Sequence, residues 1–287
     1  MDDLYRNYCL IDDLGSTIKV CIIVPTYNES LNITTLLDRI YSAKSIKGYE
    51  DRHVIMNVLV VDDNSPDQTY KIVENYQKKN LNVHLLVRQQ KQGLGAAYIH
   101  GMRHAMQSLA PHIIFEMDAD LSHNPRYILP MIDKIRAGAD FVIGSRYIKG
   151  GSIPENWGFY RRMVSKSANV YTKLLLRPKV NDCTGGFRAI RTSVLKNIDL
   201  ELLDVKGYVF QMALLNQMML HGSIITEVPI AFEDRTNGDS KMRAKDIFEV
   251  GTVIMRLAFN NTMTQLSGAR PRLLDQRRQL EPYLIKI

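Results

Sequence analysis

The chain is poor in cysteine: Cys9, Cys21 and Cys183 are all it has in 287 residues. Their wide spacing gives neither a disulfide framework nor a zinc pattern, so a reducing, cytosol-facing compartment is expected. Long apolar runs are lacking too. Crossing a bilayer takes about 20 apolar residues. The most apolar late stretch, IFEVGTVIMRLAF from Ile247 to Phe259, is too short, and Glu249 and Arg256 interrupt it. The N-terminal MDDLYRNYCLIDD is acidic and carries no apolar segment of the kind a signal peptide needs. Internal repeats and low-complexity tracts are absent. With 45% hydrophobic and 23% charged residues, a disordered chain is excluded and a globular one is expected. An acidic excess is missing as well: the net charge is +7. That sign suits plain solubility, nucleic acid, an anionic membrane surface or phosphorylated ligands. No nucleic-acid-binding module or aromatic platform accompanies it, so nucleic acid is not expected.

What the sequence does contain is an alternation. IKVCIIVPTY, HVIMNVLVVDDNS, NVHLLVRQ, HIIFEMDAD and ADFVIGSRY read as buried strands rich in β-branched residues. Between them lie helical stretches. NESLNITTLLDRIYSA has Asn28 or Ser30 as a cap, with Leu31, Thr34, Thr35, Leu37, Asp38, Ile40 and Tyr41 tracking its turns. PDQTYKIVENYQKKN has Pro66 near its start, and GLGAAYIHGMRHAMQSL follows as a third helix. NPRYILPMIDKIRAG is expected to bend at Pro130. Strand–helix alternation of this kind predicts an α/β fold with a mostly parallel sheet, whose ligands gather beyond the carboxyl ends of the strands. After Tyr147 the pattern changes. IKGGSIPENWGFYRR reads as a polar loop, MVSKSANVYTKLLL as a helix, and DCTGGFRAIRTSVL as a loop before a helix. YVFQMALLNQMMLHG reads as an apolar helix, SIITEVPIAFEDR as a strand and TNGDSKM as a polar loop. A last helix is expected from Ala244 to about Asn260, then a basic tail. The expected division is an extension over 1–15, a catalytic domain over 16–243, and a docking helix with its tail over 244–287.

The chemistry concentrates at strand ends. Asp118 and Asp120 end one strand, Asp62 and Asp63 another. Two like charges one residue apart repel, and burial strengthens the repulsion. Side chains alternate sides along a strand, so one carboxylate can face a ribose while the other takes a divalent ion. Mg²⁺ accepts one or two carboxylates together with phosphate oxygens. Phosphatases of the haloacid dehalogenase type also place Asp-X-Asp after a strand, but near the N-terminus and followed by Thr or Val. Here Leu121 follows, three strands late. In VPTYNES, Tyr27 could cover a base and Glu29 could accept a base or ribose hydrogen bond, while Asn28 suits a cap equally well. Asp62 could grip a nucleoside. Gly93 and Gly95 precede a helix and suit a diphosphate, though the third glycine of a dinucleotide fingerprint is missing. His100 and His104 lie four apart, yet Gly101 stands where a metalloprotease needs glutamate, so zinc is not expected. Arg146, Arg161, Arg162, Arg188 and Arg235 are placed in or beside loops, where guanidinium groups suit anion capture; a solvated surface suits Arg162 as well.

Taken in order, IIVPTYNE, DDNSPD, GLGAAYIHGMRHA, MDADLSHNP, GSRY, NWGFYRRMVS, TGGFR, KGYVFQM and EDRTNGDSKM resemble the dolichyl-phosphate mannosyltransferases of glycosyltransferase family 2. The resemblance covers roughly Ile18 to Met242 and is nearest to the catalytic subunit that has no membrane span of its own. It implies a GT-A fold, inversion, and the reaction of GDP-mannose with dolichyl phosphate to give dolichyl β-D-mannosyl phosphate and GDP. That product serves N-glycosylation, GPI anchors and O- and C-mannosylation. By the same resemblance Asp118 and Asp120 hold Mg²⁺ or Mn²⁺. Pro25, Tyr27, Glu29 and Asp62 bind the nucleoside, with Gly95 and Ala119 completing the donor set. Arg146, Arg161 and Ser165 match the acceptor-phosphate set, and Arg235 and Lys241 a late loop that closes on the diphosphate. One branch of the family adds a Gln ligand where Ser122 stands here. The resemblance also implies a peripheral place on the cytosolic face of the endoplasmic reticulum membrane, with a small transmembrane partner subunit. UDP-glucose as donor, and a nucleotide-binding scaffold without turnover, are the competing readings. GLGAAYIHGM and KGYVFQM argue against the first. The intact Asp118, Asp120, Arg146 and Arg235 argue against the second.

Overall fold

A computed structural model describes residues 17–44, 49, 53–203, 209–234 and 244–266. The expected N-terminal extension, Arg235 and Lys241 in their polar loop, and the basic tail lie outside the described residues.

Seven strands form one sheet: β1 (Ile18–Thr26), β2 (Val54–Asp62), β3 (Val83–Val87), β4 (Ile113–Glu116), β5 (Phe141–Ser145), β6 (Arg188–Arg191) and β7 (Ile225–Pro229). Their order is β3-β2-β1-β4-β6-β5-β7. All run parallel except β6, which is antiparallel to β4 and β5. The chain builds outward from β1 through β2 to β3, then returns to set β4 on the other side of β1. That reversal opens a crevice at the carboxyl ends of β1 and β4, where ligands of open α/β sheets bind.

Alternation along the strands divides the core in two. Val20, Ile22 and Val24 pack with Val58 and Val60 beneath α1 (Ile33–Lys44) and α4 (Ile128–Arg136). Cys21, Ile23, Leu59 and Val61 face the opposite way, toward α3 (Leu94–His104) and α7 (Val209–Leu220). Both faces are covered, which is why β1 and β2 read as nearly continuous apolar runs. α7 is buried from Val209 to Met218 because α3 and α8 (Ala244–Leu266) pack around it. At Gly101 an added Cβ would lie 2.6 Å from Ile23 Cγ2, so α3 approaches β1 where a side chain is missing.

Several boundaries differ from the sequence reading. α1 starts at Ile33, after two turns of chain; its core face is Ile33, Leu36, Leu37 and Ile40, and Leu31 is 76% exposed. Asn28 does not cap a helix but adopts φ 60 in the turn leaving β1, a left-handed conformation that Asn tolerates. The expected helix instead begins as a 3-10 turn, Pro125–Tyr127, and turns α-helical at Ile128, so Pro130 falls in a first turn rather than mid-helix. It is the third residue of α4, where its missing N–H would have had no helical partner. α5 (Phe159–Leu176) begins four residues earlier than expected, so Arg161 and Arg162 sit in its first turn. The segment read as a loop before a helix holds β6, only four residues long and charged at both ends. Arg188 is therefore not an anion-capturing loop residue. It is fully buried in β6 and donates to the carbonyls of Cys183, Gly185 and Gln211. α8 runs to Leu266, six residues past the expected end. α2 (Thr69–Gln77) and the short α6 (Thr192–Leu195) complete the α-helices among the described residues; a π-helical turn at Ala105–Leu109 and 3-10 turns at Pro125–Tyr127 and Leu200–Leu203 join them.

Candidate active site

The sheet presents one functional rim. Parallel strands bring their carboxyl ends there, and β6, being reversed, brings the turn that precedes it. At the β1–β2 end, Asp62 is fully buried. Its Oδ1 accepts from the Ser65 amide at 2.8 Å, and Oδ2 from Thr26 Oγ1 at 2.6 Å and Ser65 Oγ at 2.7 Å. Asp62 thus lies beneath the two exit turns. The turn after β1 is laced to the turn after β2: the amides of Asn28, Glu29 and Ser30 donate to Ser65 Oγ, Thr69 Oγ1 and Asp67 Oδ2. These hydroxyls and Asp67 were not picked out from sequence. The signal was in DDNSPDQT, where Asp, Ser and Thr commonly bond nearby amides. Pro25, Tyr27 and Glu29 stand half-buried on this floor. Lys91 Nζ lies 3.7 Å from the centroid of the Tyr27 ring. Beside it, buried Arg88 pairs with Asp63 through Nε at 2.6 Å and reaches the Gly93 carbonyl at 3.4 Å, fixing the entry to α3. Gly93 has φ 102, and Gly95 is buried in the first turn of α3.

Asp118 and Asp120 follow β4 and are supported from different sides. Tyr98 on α3 donates its hydroxyl to Asp118 Oδ1 at 3.2 Å. Burial and the Asp118 and Glu116 carboxylates push the Tyr98 phenol well above its ordinary pKa, so it stays a donor. Asp120 Oδ1 accepts from Ser122 N at 3.1 Å and Ser122 Oγ at 2.6 Å. Leu121 takes φ 67 between them, a left-handed turn that swings Ser122 back onto Asp120. Ala119 is buried between the two acids. The Asp118 amide donates to His123 Nδ1 at 3.1 Å, and the His123 ring stacks on Phe187 at 5.1 Å. Hydroxyl and amide donors thus reach both carboxylates, which lowers the cost of placing two negative charges together.

The fit to a divalent ion rests on this donor set. Carboxylate oxygen is the hard ligand that Mg²⁺ and Mn²⁺ prefer. Among the described residues no group of three or more His, Cys, Asp or Glu side chains could close a metal site by itself. Ser122, fully buried, directs its hydroxyl to Asp120. Two carboxylates with the remaining positions left to phosphate oxygens and water match the way Mg²⁺ is held on nucleotides.

Across the rim, Arg146 follows β5. Its Nε and Nη2 donate to Asp182 Oδ2 and Oδ1, both at 2.7 Å, and Nη2 also donates to Thr184 Oγ1 at 2.7 Å. Burial works against the Arg146 charge, but Asp182 outweighs it and raises the pKa; Asp118 adds to the effect, so the arginine lies within electrostatic reach of the carboxylate motif. Arg161 faces Asp234 at 3.5 Å and stacks over Trp157 at 3.9 Å. Ser165 on α5 accepts from Tyr147 Oη at 2.7 Å. Arg162 is half-buried; it donates to the carbonyls of Trp157, Pro154 and Glu155 and ties the 154–157 turn to α5. Beneath both halves lie Glu116 and Arg188, 3.9 Å apart and fully buried. Burial raises the Glu116 carboxyl to about 7 against the pull of Arg188 and of the Gln211 amide.

The chain is similar to known proteins. Polyprenol monophosphomannose synthase of Mycolicibacterium smegmatis is 39% identical over 234 residues, 81% of this chain and 84% of its own. Dolichol-phosphate mannosyltransferase of Pyrococcus furiosus is 37% identical over 244 residues, 83% of this chain but only 63% of its own length. Among solved structures, a mannosyltransferase from Pyrobaculum calidifontis in complex with GDP-Man and Mn²⁺ superposes with a TM-score of 0.52 at 16% identity, over 94% of this chain and 82% of that one. At that identity the likeness is one of fold, the GT-A type. Residues 21–199 match the profile of glycosyl transferase family 2. A nucleotide-type crevice at the β1–β4 switch, an Asp-X-Asp at its edge and these relatives agree, and the chain belongs to glycosyl transferase family 2.

Proposed function

We propose that this chain transfers mannose from GDP-mannose to the phosphate of dolichol, with inversion, giving dolichyl β-D-mannosyl phosphate and GDP. The observation that carries the reading is the pairing on one rim of the Asp118–Asp120 motif with Arg146 across from it. The names of the relatives, one of which acts on polyprenol and the other on dolichol phosphate, support the acceptor class. The Pyrobaculum complex supports GDP-mannose as donor and a divalent ion as cofactor.

A phosphate monoester is already an anion near neutral pH, so no general base is required. An acceptor phosphate oxygen forms the new bond to the anomeric carbon while the bond to the diphosphate breaks. The electron pair leaves with GDP. Pro25, Tyr27, Glu29 and Asp62 with its turns shape the nucleoside end, and Gly95 and Ala119 let the diphosphate approach. Arg146, Arg161 and Ser165 receive the acceptor phosphate and align it behind the sugar. Arg235 and Lys241, which lie outside the described residues, are assigned to the diphosphate by the family resemblance alone. Bound by Asp118 and Asp120, Mg²⁺ or Mn²⁺ would supply positive charge to the leaving group.

The acceptor lives in a bilayer, and among the described residues no helix is long and apolar enough to cross one. Support for a peripheral approach comes from α5 and α8, which pack together. α5 exposes Phe159, Tyr160, Met163, Val170 and Leu174, and α8 exposes Met255, Phe259 and Met263, each at helical spacing. Lys166, Lys173 and Arg256 stand exposed beside them. An apolar stripe flanked by cations suits the anionic cytosolic leaflet, here that of the endoplasmic reticulum, where a small transmembrane subunit would add a second anchor. The deciding experiment gives purified full-length chain dolichyl phosphate with Mg²⁺ or Mn²⁺ and either labelled GDP-mannose or labelled UDP-glucose. Mannolipid formed from GDP-mannose alone, and lost with EDTA, is expected. Glucolipid, or no lipid product even after adding membranes, overturns the reading.

A further inference from the structure

Arg146 has a partner that the acceptor role alone does not explain. Asp182 is fully buried and turns both oxygens to Arg146: Oδ2 accepts from the Arg146 amide at 3.0 Å and from Nε at 2.7 Å, and Oδ1 from Nη2 at 2.7 Å, with a longer bond to Oδ1 from Thr184 Oγ1 at 3.3 Å. Side-by-side pairing of this kind fixes the plane of a guanidinium as well as its place. Asp182 is itself immobilised. Its amide donates to Glu227 Oε1 on β7 at 2.9 Å, the next amide, Cys183 N, donates to Asn169 Oδ1 on α5 at 2.7 Å, and Arg188 grips the carbonyls of Cys183 and Gly185. Three elements of the fold converge to hold one carboxylate still. Nη1 of Arg146 has no hydrogen bond among the described residues, so the guanidinium offers an edge with its charge already matched.

We propose that Asp182 is a positioning residue that acts through Arg146, presenting one guanidinium edge to the acceptor phosphate while cancelling most of its net attraction. This rests on the acceptor role given to Arg146 above. A site built this way gives up binding strength for direction, which favours turnover over a tightly held ground state. Asp182→Asn keeps the shape and removes the charge. Arg146 then attracts anions more strongly but points less well. The expected signature is an acceptor KM that falls by about threefold, a kcat that falls by about tenfold, and a donor KM that does not move.

Calorimetry with inorganic phosphate gives a readout independent of turnover, and Asp182→Asn is expected to bind it about threefold more tightly than the parent chain. In an Arg146→Lys background, where side-by-side pairing is lost, Asp182→Asn should cost about twofold or less in kcat. Thr184→Val keeps every charge and removes the hydroxyl that accepts from Arg146 Nη2 and Asn169 Nδ2 and donates to Asp182 Oδ1, so the Arg146–Asp182 pair loses its lateral support; a lower kcat at unchanged acceptor KM is expected, and this variant answers if Asp182→Asn does not fold. The proposal is overturned if phosphate affinity and acceptor KM stay at parental values while kcat falls only with the active fraction counted by nucleotide titration. It is equally overturned by parental kinetics in Thr184→Val, or by phosphate binding to neither protein. A parent chain that makes no mannolipid sinks the proposed reaction, and the phosphate measurement still decides the role of Asp182.

Discussion

The two halves of the rim handle charge in opposite ways. On the donor half, Asp62, Asp118 and Asp120 are held by hydroxyls and amides: Thr26, Ser65, Tyr98 and Ser122. Arg88 bonds Asp63 there and not the metal-motif carboxylates. On the acceptor half each arginine meets an aspartate, Arg146 with Asp182 and Arg161 with Asp234. Neutral support leaves a carboxylate its charge, whereas an ion pair cancels it. On the proposed reading, the Asp118 and Asp120 carboxylates meet an incoming cation and diphosphate. The acceptor half is nearly balanced before any phosphate arrives, so it selects by direction more than by field.

The hardest blow to this contrast is Asp120→Asn. Its fold should survive, since Ser122 can still donate to the amide oxygen, but turnover should fall by at least about 10³-fold. Mannolipid formation and circular dichroism measured on the same preparation check it, and parental turnover would refute the metal role. Next comes Arg88→Met, which strands Asp63 as an unpaired buried charge. A loss of about 3 kcal/mol in urea unfolding is expected, with Asp182 and Arg146 untouched. Gly151→Ala tests the other half. An added Cβ would lie 2.5 Å from the backbone oxygen of Ser145 and 2.9 Å from the Arg146 carbonyl carbon, so the chain carrying Arg146 must shift. Stability should drop by about 2 kcal/mol, and acceptor KM should change while donor KM holds. The smallest effect is a pH dependence. Burial works against the Asp182 charge, but Arg146 and the bonded donors outweigh it and depress the pKa. A group depressed in the folded state stabilises above its unfolded value near about 4 and loses that contribution as pH falls through the folded value. The stability gap between the parent and Asp182→Asn should therefore be full at neutral pH and close below about pH 4.

The donor half was legible in the sequence because its signals are local. A β-branched run that ends in acids gives both the strand and the site, as with HIIFEMDAD and HVIMNVLVVDD. The acceptor half was legible only in part. Arg146, Arg161 and Ser165 came from ordered motifs, yet Arg188 was misread because an arginine after two glycines looks like a loop residue. Only the sheet order reveals that it enters the interior, where backbone carbonyls take up its donors. Asp182 stood in plain view in NDCTGG, but nothing within ten residues announces that its partner is Arg146, 36 positions earlier. Pairings that cross the sheet leave no periodicity to read.

The reversed strand β6 carries a consequence for the order in which the molecule comes into being. β1, β2 and β3 pair with sequence neighbours through single helical crossovers, and β4 then docks on β1. β6 must find its place between β4 and β5, opposite residues some fifty to eighty positions away, Ile113 with Arg191 and Phe141 with Ile190. β6 follows both of its partners in the chain, so during synthesis it can seat only after β4 and β5 have been made. A newly made chain thus acquires its nucleotide crevice before the turn that steadies Arg146. During synthesis, nucleotide binding should appear ahead of transfer, and the interval between the two includes the time β6 takes to seat.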